Sequence, residues 1–570
     1  SMGRPVSRVA RGAEGMSDKR LKYFLYFTHP DIKTLLLEPK SRRKVLDYFA
    51  PLKLTKAYFE CVDMKELPGM KDICADFETR GIETAGALLP AHKGPLCYND
   101  VGQMDMLEKR VVDMARLFDE IITDDWLFTN CACEKCVAGR GAKNWAEYRP
   151  GLLAAQSAKR IIAPARKVNP KIKLIVKFPN WYEGHDWNGY GHALQIAQFD
   201  EFCTGIETRL HETQHQHIPF YSAYFLRKWL ALLDPKKNGS VWYDNWEMKG
   251  RDGDYLAQVY QGILGGADEI VIWSAGHHYP SGPWSSVYPA LKKELPAFEA
   301  MAQICAGHKA LGVDYYMPHG GNGDEGPYML PGYLGMCGIP LNPVSEFPSA
   351  EGTCFLADNA SKDPGLAEKI VKRLREGKDL VMTYGLYQRL KNTEVGNFLQ
   401  VVDASGSMAS KDFGPHGKSK KKISFPKLLL STWPYTRQAV LRREDGDFAV
   451  LMQFKYLNGK VTILNLPENT FDLFRLPEGV LNAIRASLLP GLGITLEGSA
   501  KVALYAYAPG LWVLYNLSRE KAKVTLKFAS GGKEKSFHNA ITRKKIQTKK
   551  AGEGRSVAVE LKAFESIAIK

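Results

Sequence analysis

Eight short runs rich in β-branched and aromatic residues recur along the first three hundred residues, and a stretch of helical periodicity separates each from the next. The runs are KYFLYFTH (22–29), KAYFECVD (56–63), ETAGALLPA (83–91), EIITDDWLF (120–128), KLIVKFPNW (173–181), FCTGIETR (202–209), SVWYDNWE (240–247) and EIVIWSAG (269–276). Among the intervening helical patterns are MDMLEKRVVDMARLFDE and YLAQVYQGILGGA. This alternation predicts an α/β chain whose strands close into a (β/α)8, or TIM, barrel over residues 21–310. A doubly wound nucleotide-binding sheet would ask for a glycine-rich turn after its first strand, and YFTHPDIK is not one.

In such a barrel the chemistry sits where strands end and the following loops begin. Those ends are polar here: Thr28 and His29 on the first strand, Glu60 on the second, Asp124 and Asp125 on the fourth, Lys177 and Asn180 on the fifth. Trp181 and Tyr182 follow the fifth. The sixth offers Glu207 and Arg209, the seventh Asp244, Asn245 and Glu247, and the eighth Trp273. Several carboxylates among aromatic rings suit a sugar, whose C–H face stacks on an aromatic while its hydroxyls bond to acids and amides. Asp124, Lys177, Asn180, Trp181, Tyr182, Glu60, His29 and Trp273 are therefore the expected substrate contacts, although Lys177 would serve equally as a buried counter-ion. Because strand side chains alternate, Asp124 and Asp125 should face opposite ways, and nothing in the sequence says which faces inward.

Cys131, Cys133 and Cys136 form C-x-C-x2-C directly after the fourth strand, and Cys97 lies in the loop after the third. Adjacent βα loops are neighbours, so the four thiols are expected to meet as a structural zinc site beside Asp125. The histidines of RLHETQHQH (209–217) lack the spacing of a metal-binding helix.

A cysteine after strand 3 and a C-x-C-x2-C cluster after the strand-4 acid resemble glycoside hydrolase family 42, the β-galactosidases of clan A. The segment YLAQVYQGILGGADEIVIW resembles that family's passage from strand 7 to strand 8. The resemblance implies a glycosidase with a catalytic barrel, an amidotransferase-like middle domain used in oligomer contacts, and a closing β domain. It departs at the catalytic positions. Family 42 ends strand 4 in Asn-Glu and strand 7 in Glu, where this chain has Asp124-Asp125 and Asp244, so the chain reads as a relative in a separate family. By position the resemblance makes Asp125 the acid/base and Asp244 the nucleophile.

Two shortened carboxylates would widen the gap between them. Retaining glycosidases hold the pair about 5 Å apart and inverting ones about 6.5–9.5 Å apart, so the literal carry-over implies inversion or a rebuilt pair. A rebuilt pair would be Asp125 with Glu207, the strand 4 and strand 6 arrangement of barrels that act on α-linkages, with Arg209 holding one carboxylate ionised.

After a glycine- and proline-rich connector, TCFLADNASKDPGLAEKIVKRLREGKDLVMTYGLYQRL reads as strand, helix, strand, which sets a small α/β domain over 311–430. Alternating strands then predict a β-sandwich over 431–570. Asp403, Ser405 and Ser407 match the D-x-S-x-S start of metal-dependent adhesion domains, but the basic, β-rich sequence that follows is not such a domain.

The net charge is +15, from 77 basic and 62 acidic residues, and part of the excess lies in GKSKKKISFPK and TRKKIQTKKAGEGR. Neither run carries the aromatics of a single-strand binding platform, so no nucleic-acid partner is expected. No apolar run is long enough to span a membrane. Residues 1–20 read as a flexible lead-in, with a secreted or periplasmic location expected for the protein. The function expected is hydrolysis of terminal galactose- or N-acetylhexosamine-type sugars from an oligosaccharide or glycoconjugate. The rival is a non-catalytic glycan-binding protein on a degenerate barrel, favoured by the loss of both clan A glutamates.

Overall fold

A computed structural model describes residues 21–90, 96–209, 218–320, 326–431, 435–529, 536–552 and 554–570. The histidines at 211, 215 and 217 and the lead-in fall outside these. Eight parallel strands close into a barrel in sequence order: β1 (Lys22–Phe27), β2 (Lys56–Glu60), β3 (Glu83–Leu88), β4 (Glu120–Thr123), β5 (Lys173–Phe178), β6 (Glu201–Gly205), β7 (Asn238–Asp244) and β8 (Glu269–Trp273). Each expected run is present, and each ends two to five residues early. Among the residues that drop out are Asp124, Asp125, Asn180, Glu207 and Arg209, which lie where the backbone has left the sheet.

Inward-facing Phe24, Tyr26, Tyr58, Ile122, Ile175, Cys203, Trp242 and Val271 fill the barrel, so it is a packed core. Its lower end is closed by Lys56, whose Nζ lies 2.8 Å from both oxygens of Glu120.

The second sheet corrects the expected boundary at 430. Strands 341–344, 313–316, 354–356, 380–383 and 459–464 run parallel, and 446–456, 436–443, 407–412 and 418–426 extend the same sheet antiparallel. The middle domain therefore continues past residue 464, and Leu380–Thr383 pairs with Val461–Leu464 across some eighty residues. Cys354 is fully buried in its strand. The β-sandwich begins at Ile494. One sheet holds strands 494–498, 522–528, 554–561 and 549–551; the other holds 566–569, 511–516, 502–508 and the short 309–311 returned from the end of the barrel. Leu496, Leu504, Leu514, Val524 and Val557 form its core.

Candidate active site

The upper end of the barrel is organised around one buried lysine. Lys177, on β5, is 1% exposed, and its Nζ sits 4.0 Å from the centroid of Trp242 on the barrel floor. From there it donates to Glu207 Oε1 at 2.6 Å and to Asp124 Oδ1 at 3.4 Å, and it lies 3.9 Å from Asp125 Oδ2. Burial alone would lower its pKa. The charges of Glu207, Asp125 and Asp124 outweigh burial and hold it above the ordinary lysine value. Lys177 is thus a counter-ion to these three carboxylates.

The geometry also settles the orientation of the two aspartates. Asp124 turns inward, and its Oδ1 accepts the backbone N–H of Asp125 at 2.7 Å. Burial pushes its carboxyl up to about 7, with Lys177 opposing and the charges of Asp125 and Glu60 adding to the rise. Asp125 has a half-exposed side chain at the mouth. Because both share Lys177 with Glu207, the bonded oxygens of Asp124 and Glu207 are no more than about 6 Å apart. For Asp125 and Glu207 the limit is about 6.5 Å; each limit is the sum of the two lysine contacts.

Glu207 is buried, and among the described residues its Oε2 has no hydrogen-bond partner. Desolvation raises its pKa; Lys177 opposes this, while Asp244 and Asp125 add to it. Small residues give it room, since a Cβ on Gly205 would stand 2.6 Å from Oε2. Asn180 pins this turn by donating its Nδ2 to the backbone carbonyl of Glu207. One of its two amide hydrogens is thereby committed to the protein.

Asp244 is held differently. Arg209 grips it in two places, Nε to Oδ1 at 3.1 Å and Nη2 to Oδ2 at 2.7 Å, and the Trp246 backbone N–H adds a bond to Oδ1 at 3.2 Å. Both oxygens of this 3%-exposed carboxylate are engaged. Arg209, expected to hold one carboxylate of the pair ionised, bonds to Asp244 from a left-handed backbone (φ 49°), and its charge also acts on Glu207 and Asp125. Glu247 points to solvent.

Glu60 accepts Tyr26 Oη at 2.9 Å and the His29 backbone N–H at 3.3 Å. The His29 ring spans Val62 N and Glu66 Oε2. Trp273 packs on the barrel core and, with Trp246, Trp284 and His277, forms an aromatic wall; Trp246 is 37% exposed. Trp181 meets Phe128, His185 and Tyr190 edge-on. Tyr182, expected to touch sugar, is instead buried beside Phe225 and Trp229 and borders a small recess shared with Tyr315 and Met317 of the middle domain. The sequence reading missed Trp246, Trp284 and Gln258. Gln258 left a signal, as one of two glutamines, with Gln261, in a largely apolar helical run.

Cys97, Cys131, Cys133 and Cys136 come together, with all four sulfurs within 4.8 Å of one another. Cys97 Sγ is 3.7 Å from Cys133 Sγ and 3.6 Å from Cys136 Sγ. A tetrahedral zinc with arms of about 2.3 Å spaces its sulfurs about 3.8 Å apart, so the donor set fits that ion in chemistry and in size. The Asp403 motif does not form such a site. Asp403 Oδ1 accepts Ser405, its Oδ2 accepts Lys427 at 2.6 Å, and Ser407 bonds to Glu468.

Residues 13–286 match a family model described as "Probable glycosyl hydrolase, catalytic domain". The barrel is of the glycosyl hydrolase type. Residues 319–469 match a second model, "Uncharacterized protein SSO3021, second domain". The curated protein of that name from Saccharolobus solfataricus is 25% identical over 303 residues, covering 45% of this chain and 49% of the relative, so the match spans about half the relative's length. Solved structures extend the likeness to the whole architecture around this glycosyl hydrolase barrel. The family 42 β-galactosidase Gan42B from G. stearothermophilus superposes with a TM-score of 0.66 at 11% identity, over 97% of this chain and 98% of that one. An α-L-fucosidase, isoenzyme 2 from Paenibacillus thiaminolyticus, gives 0.63 at 12% identity over 97% and 99%. At these identities the likeness establishes the shared fold.

Proposed function

We propose that this chain hydrolyses glycosidic bonds, with Glu207 as the proton donor and Asp125 as the attacking carboxylate. The observation that carries the reading is the Lys177 hub, which draws acids from β4 and β6 together while leaving Glu207 Oε2 unpartnered among the described residues. A raised carboxyl with a free oxygen suits an acid that protonates the leaving oxygen. Asp125, half exposed and beside the ammonium of Lys177, attacks the anomeric carbon from the other face and forms a glycosyl-enzyme ester. Glu207, now a carboxylate, then takes a proton from water as water cleaves that ester. The lysine-bonded oxygens of Asp125 and Glu207 lie within about 6.5 Å of each other, the lower edge of the inverting range, and we take the pair as a close one that acts by double displacement with retention. Asp244, with both oxygens held by Arg209 and the Trp246 amide, is left with orientation and charge rather than attack.

The substrate class we infer is a terminal galactose- or N-acetylhexosamine-type sugar, released one unit at a time from an oligosaccharide or glycoconjugate. Its support is that the whole-chain structural neighbours are named β-galactosidases and an α-L-fucosidase, together with the aromatic wall at the mouth. The four cysteines would hold a zinc ion that ties the loop after β3 to the loop after β4 and so steadies the approach to Asp125. That ion would be structural, since four sulfurs leave no position for substrate.

A panel of α- and β-aryl glycosides assayed with wild type, Asp125→Asn, Glu207→Gln and Asp244→Asn tests the proposal. Turnover lost at least 10³-fold in the first two variants supports it. Glycan binding without turnover of any substrate would favour the degenerate-barrel reading.

A further inference from the structure

The turn after β6, which carries Glu207, and the end of β7, which carries Asp244, are joined behind the site by one buried glutamine. Gln258 lies in the helix Asp252–Leu264, which follows β7, and is fully buried. Its Nε2 donates to the backbone carbonyl of Asp244 at 2.9 Å, and its Oε1 accepts the backbone N–H of Arg209 at 3.4 Å. One side chain thus ties the end of β7 to the residue whose left-handed backbone aims a guanidinium at Asp244.

The helix that holds Gln258 is in turn fastened to the C-terminal β-sandwich on either side of that residue. One turn earlier, Asp254 is paired with Arg519. Further along, Gln261 Oε1 accepts Tyr505 Oη at 2.6 Å and the carbonyl of Leu264 accepts Tyr507 Oη at 2.7 Å. Phe564 of the sandwich packs edge-on against Phe220, just before the helix after β6, at 6.3 Å. It also covers Gly253, where a Cβ would overlap its ring. The sandwich therefore grips the helices that follow β6 and β7.

We propose that Gln258 is a positioning residue for the catalytic pair, fixing the Arg209–Asp244 unit beside Glu207, and that the β-sandwich holds Gln258 in place for that purpose. The proposal rests on the reading of Glu207 as the acid. Asp244 is one of the charges that keep the Glu207 carboxyl raised and Arg209 one that opposes it, so their placement bears on its proton.

The test is a kinetic cycle with Gln258→Met, Asp244→Asn and the double variant, supplemented by Phe564→Ala. Gln258→Met should lower kcat 10- to 100-fold with KM changed less than threefold. In the Asp244→Asn background the same substitution should change kcat less than threefold, and Phe564→Ala should follow Gln258→Met in sign at smaller size. A full 10- to 100-fold loss in both backgrounds would overturn the proposal, as would a folded Gln258→Met with wild-type kcat. A readout independent of turnover is the infrared titration of the Glu207 carboxyl, identified by its loss in Glu207→Gln. Its midpoint should fall by at least half a pH unit in Gln258→Met, and an unmoved midpoint refutes the positioning role even if the chain hydrolyses nothing. Absence of wild-type turnover with that shift present would count against the hydrolase reading alone.

Discussion

Replacing Lys177 by methionine keeps an unbranched stem over Trp242 and removes an ammonium that Glu207, Asp124 and Asp125 share. The contact with Glu207 is 2.6 Å between side chains that are 2% and 5% exposed. Removing one partner of such a buried pair costs about 3–5 kcal/mol, because the other charge stays buried without compensation. That cost depends on pH. Without the ammonium, the folded-state pKa values of Glu207 and Asp124, already raised, climb further above their unfolded values. A carboxyl held neutral in the fold but ionised in the unfolded chain costs stability progressively as pH rises above the unfolded pKa, by about 1.4 kcal/mol per pH unit for each proton. The Lys177→Met deficit should therefore stay below about 2 kcal/mol at pH 5 and reach about 3–5 kcal/mol at pH 8. Urea unfolding followed by tryptophan fluorescence at both values measures it. Adding Glu207→Gln should restore at least half the loss at pH 8, since the buried charge is then gone. An equal deficit at both pH values, or a double variant no more stable than the single one at pH 8, would refute the hub.

Asp124, with its carboxyl pushed up to about 7, binds a proton in the fold that the unfolded chain has already released between about pH 4 and 7. Stability is lost over that window as pH rises, so Asp124→Asn should gain on wild type between pH 4 and 8, by at most about 4 kcal/mol, as read by denaturant melts at both ends. If zinc is held by the four cysteines, dialysis against a strong chelator should lower Tm and release about one equivalent of zinc per chain by atomic absorption. Cys136→Ser should then bind less than a tenth of that amount.

The barrel was legible because its signals are local. Each strand announces itself in a short apolar run, and the polar residues ending those runs mark the mouth whatever the exact strand length. The cysteine cluster was legible for a related reason, since adjacent βα loops bring Cys97 to Cys131, Cys133 and Cys136 without any distant pairing. What escaped depended on long-range contacts. Strands 436–464 alternate just as sandwich strands do, and only the pairing of Leu380–Thr383 with Val461–Leu464 assigns them to the middle sheet. Likewise the sequence places Arg209 two residues from Glu207, yet the backbone turn at Arg209 hands its guanidinium to Asp244 and leaves Glu207 to Lys177. Tyr182 misled because a tyrosine after a strand end looks the same whether a sugar or a second domain covers it.

The central claim, that Glu207 and Asp125 act as a close pair, is tested most directly by proton NMR of the first sugar anomer released from a hydrolysed aryl glycoside. The carboxylate spacing set by Lys177 predicts that the anomer first formed has the configuration of the substrate. Release of the opposite anomer, with Asp244→Asn inactive and Glu207→Gln active, would contradict it and transfer the chemistry to the β4 and β7 positions.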